Sequence, residues 1–488
     1  MFSKIRQRLL LVCLSCLCIS TTVAQEVLTL DACRRMAIAQ NKMLFISHLQ
    51  REQADYTHRA ARANYLPKID FVGGYIHSGK EASILNDDQK AALTGVGGKL
   101  QGAIGNIIAA HPDLAPLVGQ YADKIAAVST GLTGVGQSIV DAFRTDTRNM
   151  TAAAVMLTQP LYMGGKIKAY DRITKLSADI AGEAERAEIQ SLLLDVDKAY
   201  WQVVSLVAKR KLALSYRDML LHLDKDVLIM IDEGVATKAS ELTVNVKLNE
   251  AEMALTKVEN GLALSRMLLC QLCGLPLESN PILADESLDN LATDIIETTP
   301  DIAKAYEARP EIQQLALASD IYKEKVKIVR SDYMPQLALI GGYMLSNPNP
   351  YNGFEKKFRG NWSVGITLKM PIWHWGEGRN KIKAAQAEAQ IAALKTEEAK
   401  EKIALQVTQS SFTVNEANRQ LELSLNNLGK ANENLRVAGV GFQEGVIATS
   451  DLLAAQTAWL QAESEKIDAQ INVKLAYAAY NKALGILK

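Results

Sequence analysis

Trp362, Val364, Ile366, Leu368 and Met370 alternate with Ser363, Gly365, Thr367 and Lys369, the period-2 signature of a strand with unlike faces. A weaker alternation sets Val155 and Leu157 against Ala154, Met156 and Thr158. Beyond Pro160 and Pro371 the period becomes helical. Ile189, Leu193, Val196, Tyr200, Val203, Val207 and Leu214 fall at heptad spacing, as do Val407, Val414, Ala417, Leu421, Leu425, Leu428 and Leu435. The pattern predicts helices over 167–232 and 379–443, about 65 residues each, on the order of 100 Å at 1.5 Å per residue. Glu233-Gly234 and Glu444-Gly445 read as helix ends, and Ser240 and Asp451 fall where a returning helix would open. Each long helix thus folds back as a hairpin, with Gly234-Val235 or Gly445-Val446 at its tip. Upstream, a short helix (31–40, 301–307) precedes a longer one (44–64, 311–331) that stops ahead of Pro67 or Pro335.

The order is duplicated. Tyr65-Leu66-Pro67-Lys68-Ile69 with Gly73-Gly74-Tyr75 recurs as Tyr333-Met334-Pro335-Gln336-Leu337 with Gly341-Gly342-Tyr343, at an offset of 268. Pro160, Gly165, Glu233-Gly234-Val235, Leu242 and Gly274 recur as Pro371, Gly376, Glu444-Gly445-Val446, Leu453 and Gly485, at an offset of 211. The first copy therefore carries 268 less 211, or 57, additional residues between its Gly-Gly-Tyr and its Pro. The domain reading is two strand-and-hairpin repeats, 25–282 and 301–488, joined by a linker at 283–300, with an enlarged loop at 80–148 in the first.

The N-terminus sets the compartment. Lys4, Arg6 and Arg8 precede an apolar run from Leu9 to about Ile19, then Thr22-Val23-Ala24, which predicts a secretory signal over 1–24. A lipidated Cys16 is the alternative, although Cys13 stands where such a motif wants Leu. No other run reaches the roughly 20 apolar residues of a membrane helix. The whole chain has 488 residues with 54 Lys+Arg against 54 Asp+Glu, and removal of the signal leaves 51 against 54, a net of −3. That balance excludes a nucleic-acid binder held by clustered basic charge.

Candidate chemistry is sparse. Cys33, Cys270 and Cys273 remain after the signal, an odd number that makes no disulfide framework. The lone C-x-x-C has no second pair and no nearby His for zinc, so Cys270 and Cys273 read as buried small residues near a helix end, with a local disulfide between them as the lesser reading. Gly95-Val96-Gly97-Gly98-Lys99-Leu100 lacks the first glycine and the hydroxyl of a phosphate loop. No HExxH, paired His or G-x-S-x-G occurs, and the sequence points to no catalytic residue, cofactor or metal site. Helical spacing in the extra segment (Leu93, Val96, Leu100, Ile104, Ile107; Leu117, Tyr121, Ile125, Val128) predicts helices in a loop outside the cell, either a lid or partner-binding element or a plain surface elaboration.

Two strand pairs of about ten residues cannot close a barrel alone, because the smallest membrane barrels have about eight strands. Three chains would give twelve and leave a conduit. The residues resemble the TolC-like outer-membrane efflux proteins: the twofold repeat, Tyr65-Leu66-Pro67-Lys68-Ile69 with its copy, Gln159-Pro160-Leu161-Tyr162-Met163-Gly164-Gly165 closing the second strand, and Gly-Val with Ser240 or Asp451 six residues on. The resemblance implies a mainly α chain with four strands per subunit, and a homotrimer with a twelve-stranded outer-membrane β-barrel and a periplasmic α-barrel. It further implies hairpin tips that meet a periplasmic adaptor coupled to an inner-membrane pump. It also implies a periplasmic gate of aspartates, of which Asp451 fills the first position and Ala454 replaces the second. Asp451 has two readings, an anionic ring and a helix cap. Pro160, Gly165, Pro371 and Gly376 mark strand-to-helix junctions, and Tyr162, Trp373 and Trp375, just beyond strand ends, are candidates for contact with outer-membrane lipid or for junction packing. Two other classes fit parts of the pattern: a structural or adhesion protein with periplasmic coiled coils, and a periplasmic adaptor. An adaptor would lack the duplicated strand pairs.

Overall fold

The computed structural model describes residues 27–81, 83–144, 146–287, 297–351 and 355–488, so the signal over 1–24 lies outside it, as does part of the linker. The chain runs α1 (Leu30–Gln40), α2 (Lys42–Arg62), β1 (Lys68–His77), four loop helices α3–α6 (Asp87–Thr94, Val96–Ala110, Ala115–Gln120, Ala122–Ala142), β2 (Asn149–Met163), α7 (Lys166–Asp232) and α8 (Lys238–Cys273). It then repeats the order as α9 (Ile302–Ala308), α10 (Pro310–Ser331), β3 (Gln336–Asn347), β4 (Arg359–Lys369), α11 (Glu377–Gln443) and α12 (Thr449–Ala483). The two long helices have 67 residues each. Local chemistry fixes the ends. Thr29 and Asp301 accept from the backbone N–H of Ala32 and Lys304 at 3.2 and 3.1 Å, capping the two short helices. Gly274 and Gly485, at φ +72° and +74°, close α8 and α12 in the left-handed conformation that glycine tolerates. There a Cβ would lie 2.5 Å from Gln40 Cβ or 2.8 Å from the Arg309 nitrogen, so the same close approach to the end of a short helix occurs twice.

Two compact units are drawn from both halves. The helical unit comprises the chain up to Arg59, Tyr170–Val326 and Lys381–Lys488. It holds three main apolar cores. One gathers Cys33, Ala37, Val196, Tyr200, Val203, Leu269 and Cys273; a second Ala305, Val407, Val414, Leu421, Tyr480 and Leu484. The third joins both hairpins below their tips through Leu220, Val227, Val244, Phe442, Leu452 and Leu453. The heptad positions Val196, Tyr200, Val203, Val407 and Val414 are fully or almost fully buried, and each such aliphatic side chain contributes about 1.5–3 kcal/mol of burial.

The strand unit comprises Ala60–Ala169 and Lys327–Asn380. Its sheet is antiparallel in the order β1-β2-β3-β4. Pro160 and Tyr162 are corrected here: neither lies beyond the strand, because β2 continues to Met163. Pro160 pairs with Ala338 and Tyr162 with Leu337, leaving Leu161 as an extra residue. The bulge absorbs the missing N–H of proline, which a regular ladder would not. In the second half the strand stops at Lys369, ahead of Pro371.

Between β1 and β2 the loop helices pack through small residues. Ser129 Oγ donates to the Gly97 carbonyl at 2.7 Å, and a Cβ on Gly97 or Gly136 would lie 2.2 or 2.0 Å from a facing carbonyl oxygen. Asp146 accepts from Arg148 Nε at 2.8 Å and from Lys356 Nζ at 2.7 Å, tying this loop to the β3–β4 connection. The Arg148 and Lys356 bonds hold the Asp146 carboxyl well below the usual carboxylate range.

Candidate functional site

The chemistry of the strand unit lies in its two faces. Cross-strand pairing aligns Phe71, Val155, Tyr343 and Trp362 in one row and Ile69, Leu157, Gly341 and Val364 in the next. Tyr162, Leu337 and Leu368 continue that face at its other end. The opposite face presents Asp70, Met156, Gly342 and Ser363, then Lys68, Thr158, Ile340 and Gly365. One side is thus apolar and bounded by aromatics, while the other is mixed and largely polar or small. From the Trp362 row to the Leu368 row is six residues along β4, about 20 Å at 3.3 Å per residue. That nearly fills the roughly 25 Å apolar band of an outer-membrane barrel with its aromatic girdles.

Every residue of β1 and of β4 is exposed, and among the described residues each pairs on one side only. A flat run of unpaired N–H and C=O groups on both edges is a template for further strand pairing. No helix among the described residues is long and apolar enough to cross a membrane.

The hairpin tips are built alike. Gly234 and Gly445 sit at φ +77° and +71°. At the first tip the N–H groups of Val235 and Ala236 donate to the Met230 carbonyl at 2.9 and 3.1 Å; at the second, those of Val446 and Ile447 donate to the Gly441 carbonyl at 2.9 and 3.1 Å. Val235 and Val446 are left 70% and 79% exposed. Neither valine belongs to the three main apolar cores.

Asp451 lies exposed in the first turn of α12, and the helix opens at Ala448 with no side-chain cap bond. Ser240 likewise does not cap, since α8 opens at Thr237. The capping expectation for both residues is corrected: the chain starts each helix three residues earlier than the acceptor side chain would require. The first-turn acid of the first hairpin, Glu241, is ion-paired with Lys238. Asp451 has no ion pair among the described residues, and its charge faces the positive end of the helix dipole.

At the junctions, Gly164 and Gly165 take φ +62° and +87°, and Trp375 and Gly376 take +48° and +80°. Trp373 and Trp375 pack edge to face at 5.7 Å, with Trp375 88% exposed. Cys33, Cys270 and Cys273 are free and buried. Among the described residues no group of His, Cys, Asp and Glu is placed to hold a metal.

Sequence reasoning missed two features. The alternation of β1 is legible as Ile69, Phe71 and Tyr75, broken by Gly73. The clamp of Arg34 on Asp197, with Nε–Oδ1 at 2.8 Å and Nη2–Oδ2 at 2.6 Å, has no local signal, because its partners are 163 residues apart.

A sheet with one apolar face and two open edges is built to pair with further strands. Residues 302–486 match the family of outer membrane efflux proteins. Over 364 residues the chain is 22% identical to outer membrane protein TolC of Escherichia coli, covering 70% of each. It is 25% identical over 236 residues to alkaline protease secretion protein AprF of Pseudomonas aeruginosa, covering 46% of this chain and 47% of that one. The fold resembles the outer membrane channel CmeC of Campylobacter jejuni with a TM-score of 0.70, at 14% identity, over 93% of this chain and 85% of the other. The family match thus falls on the second repeat, and the similarity in fold extends over nearly the whole chain.

Proposed function

We propose that this chain is the outer-membrane channel of a tripartite efflux or type I secretion system, a passive duct whose strand unit spans the outer membrane and whose helical unit occupies the periplasm. The observation that carries the reading is the sheet: apolar rows in register across four strands, with both edges open. Lipid leaves no water to satisfy such edges, so neighbouring copies must pair with them. Three copies supply twelve strands, enough to enclose a path, whereas the side chains inside an eight-stranded barrel largely fill it.

Within this reading the remaining residues take roles. The exposed tips at Gly234-Val235 and Gly445-Val446 dock a periplasmic adaptor that links the duct to an inner-membrane pump. Around a threefold axis, three copies of Asp451 form an anionic ring that favours cations and narrows the periplasmic entrance. With Ala454 one turn on, a single ring does this work. Trp373 and Trp375 rest against outer-membrane lipid headgroups, and Tyr162 ends the apolar band. The duct performs no catalysis and needs no cofactor.

Fractionation tests the assignment. Heat-resistant trimers recovered from the outer membrane, and loss of export in a deletion strain, are the expected results; a soluble periplasmic monomer would overturn it.

A further inference from the structure

Two of the three thiols, remote in sequence, come together in one core of the helical unit. Cys33 is on α1 and Cys273 is the last residue of α8; both are fully buried. The Cys273 thiol donates to the Cys33 carbonyl at 3.6 Å, and the two side chains also share a hydrogen bond. That bond, donated by Cys273, draws the Cys33 thiol below its ordinary value and raises that of Cys273, which burial raises further. Cys270, one turn back, is turned elsewhere, with its thiol 3.5 Å from the Ser279 carbonyl. The sequence pattern C-x-x-C points to a Cys270–Cys273 pair, but helix geometry separates those two and brings Cys33 to Cys273.

We propose that Cys33 and Cys273 form a disulfide that fastens α1 to the base of the first hairpin, leaving Cys270 as a free thiol. The proposal rests on the export reading, since disulfides form and persist in the oxidising periplasm. The oxidant is a protein dithiol–disulfide carrier of the class that oxidises exported chains. One thiolate attacks the carrier disulfide, giving a mixed disulfide and one carrier thiol. The second thiolate then attacks the mixed disulfide, forming the Cys33–Cys273 bond and releasing the second carrier thiol. Two protein thiols are oxidised and one carrier disulfide is reduced to a dithiol. The exchange belongs to folding, before α1 closes over the pair, because neither sulfur is accessible afterwards. The second repeat has no equivalent: Asp301 and Leu484 stand at the corresponding positions, 268 and 211 residues on.

Full-length protein taken from the outer membrane, acid-quenched, denatured without reductant, treated with N-ethylmaleimide and digested with trypsin provides the test. The expected product is the peptide ending at Arg34 linked to peptide 267–304, with one maleimide, on Cys270; reductant separates the two. In Cys270→Ser the link persists, and in Cys273→Ser the Cys33 peptide is alkylated instead. Maleimide on both Cys33 and Cys273, or a closed pair within 267–304, would overturn the proposal. The fraction in which the protein is found reports separately on the export reading, so the two can fail independently.

Discussion

The two strand-to-helix junctions make the same backbone turn with different residues. In the first repeat Gly164 and Gly165 occupy the left-handed region; in the second, Trp375 and Gly376 do. The difference is space. A Cβ at Gly164 would lie 2.7 Å from Met334 Cβ and 2.9 Å from the Ser331 carbonyl, whereas Trp375 is 88% exposed and leans on Trp373. What the repeat duplicates is a conformation, and the side chain follows the room around it. A tryptophan at φ +48° is strained by about 1–2 kcal/mol.

Exchanging residues between the junctions tests that comparison. Gly164→Trp should cost about 3 kcal/mol or more, through overpacking against backbone added to the left-handed strain, and should appear as trimers that dissociate at markedly lower temperature. Gly165→Ala and Gly376→Ala, at open positions with nothing within 4 Å, should each cost about 1–2 kcal/mol, and by similar amounts in thermal unfolding. Unequal losses would show that the junctions differ in more than space. Trp375→Gly should change stability by about 1 kcal/mol or less, because relief of strain offsets the lost Trp373 contact.

The smallest effect is expected in the loops. The Asp146 carboxyl is depressed by its bonds to Arg148 and Lys356, so its native form takes up a proton less readily than the unfolded one. Its contribution is present above pH of about 4, where a free carboxylate ionises, and is lost only as pH falls through the depressed native value. Asp146→Asn should loosen the tie between the two loops, detected as faster proteolysis of residues 80–148 at neutral pH, with little change in assembly. High salt should narrow the difference, since the network is exposed.

Much of this architecture was legible because it depends on local periods. The heptads marked α7 and α11 to within a residue or two, Gly234 and Gly445 marked the tips, and Trp362 to Leu368 marked β4. Proline misled at one point, where the bulge at Leu161 carries β2 past Pro160 to Met163. Capping misled at another, because Thr237 and Ala448 rather than later polar residues open the returning helices. Contacts between distant segments had no signature: neither the Arg34–Asp197 clamp nor the meeting of Cys33 with Cys273 follows from any spacing. The apolar rows became visible only once register joined Phe71, Val155, Tyr343 and Trp362 from four strands.

Conductance tests the central claim most directly. Purified trimers in planar bilayers should open steady ion-conducting pores with a preference for cations, and Asp451→Ala should reduce that preference while leaving assembly intact. A preparation of folded trimers that never conducts would contradict the account and leave a structural coiled-coil protein in its place.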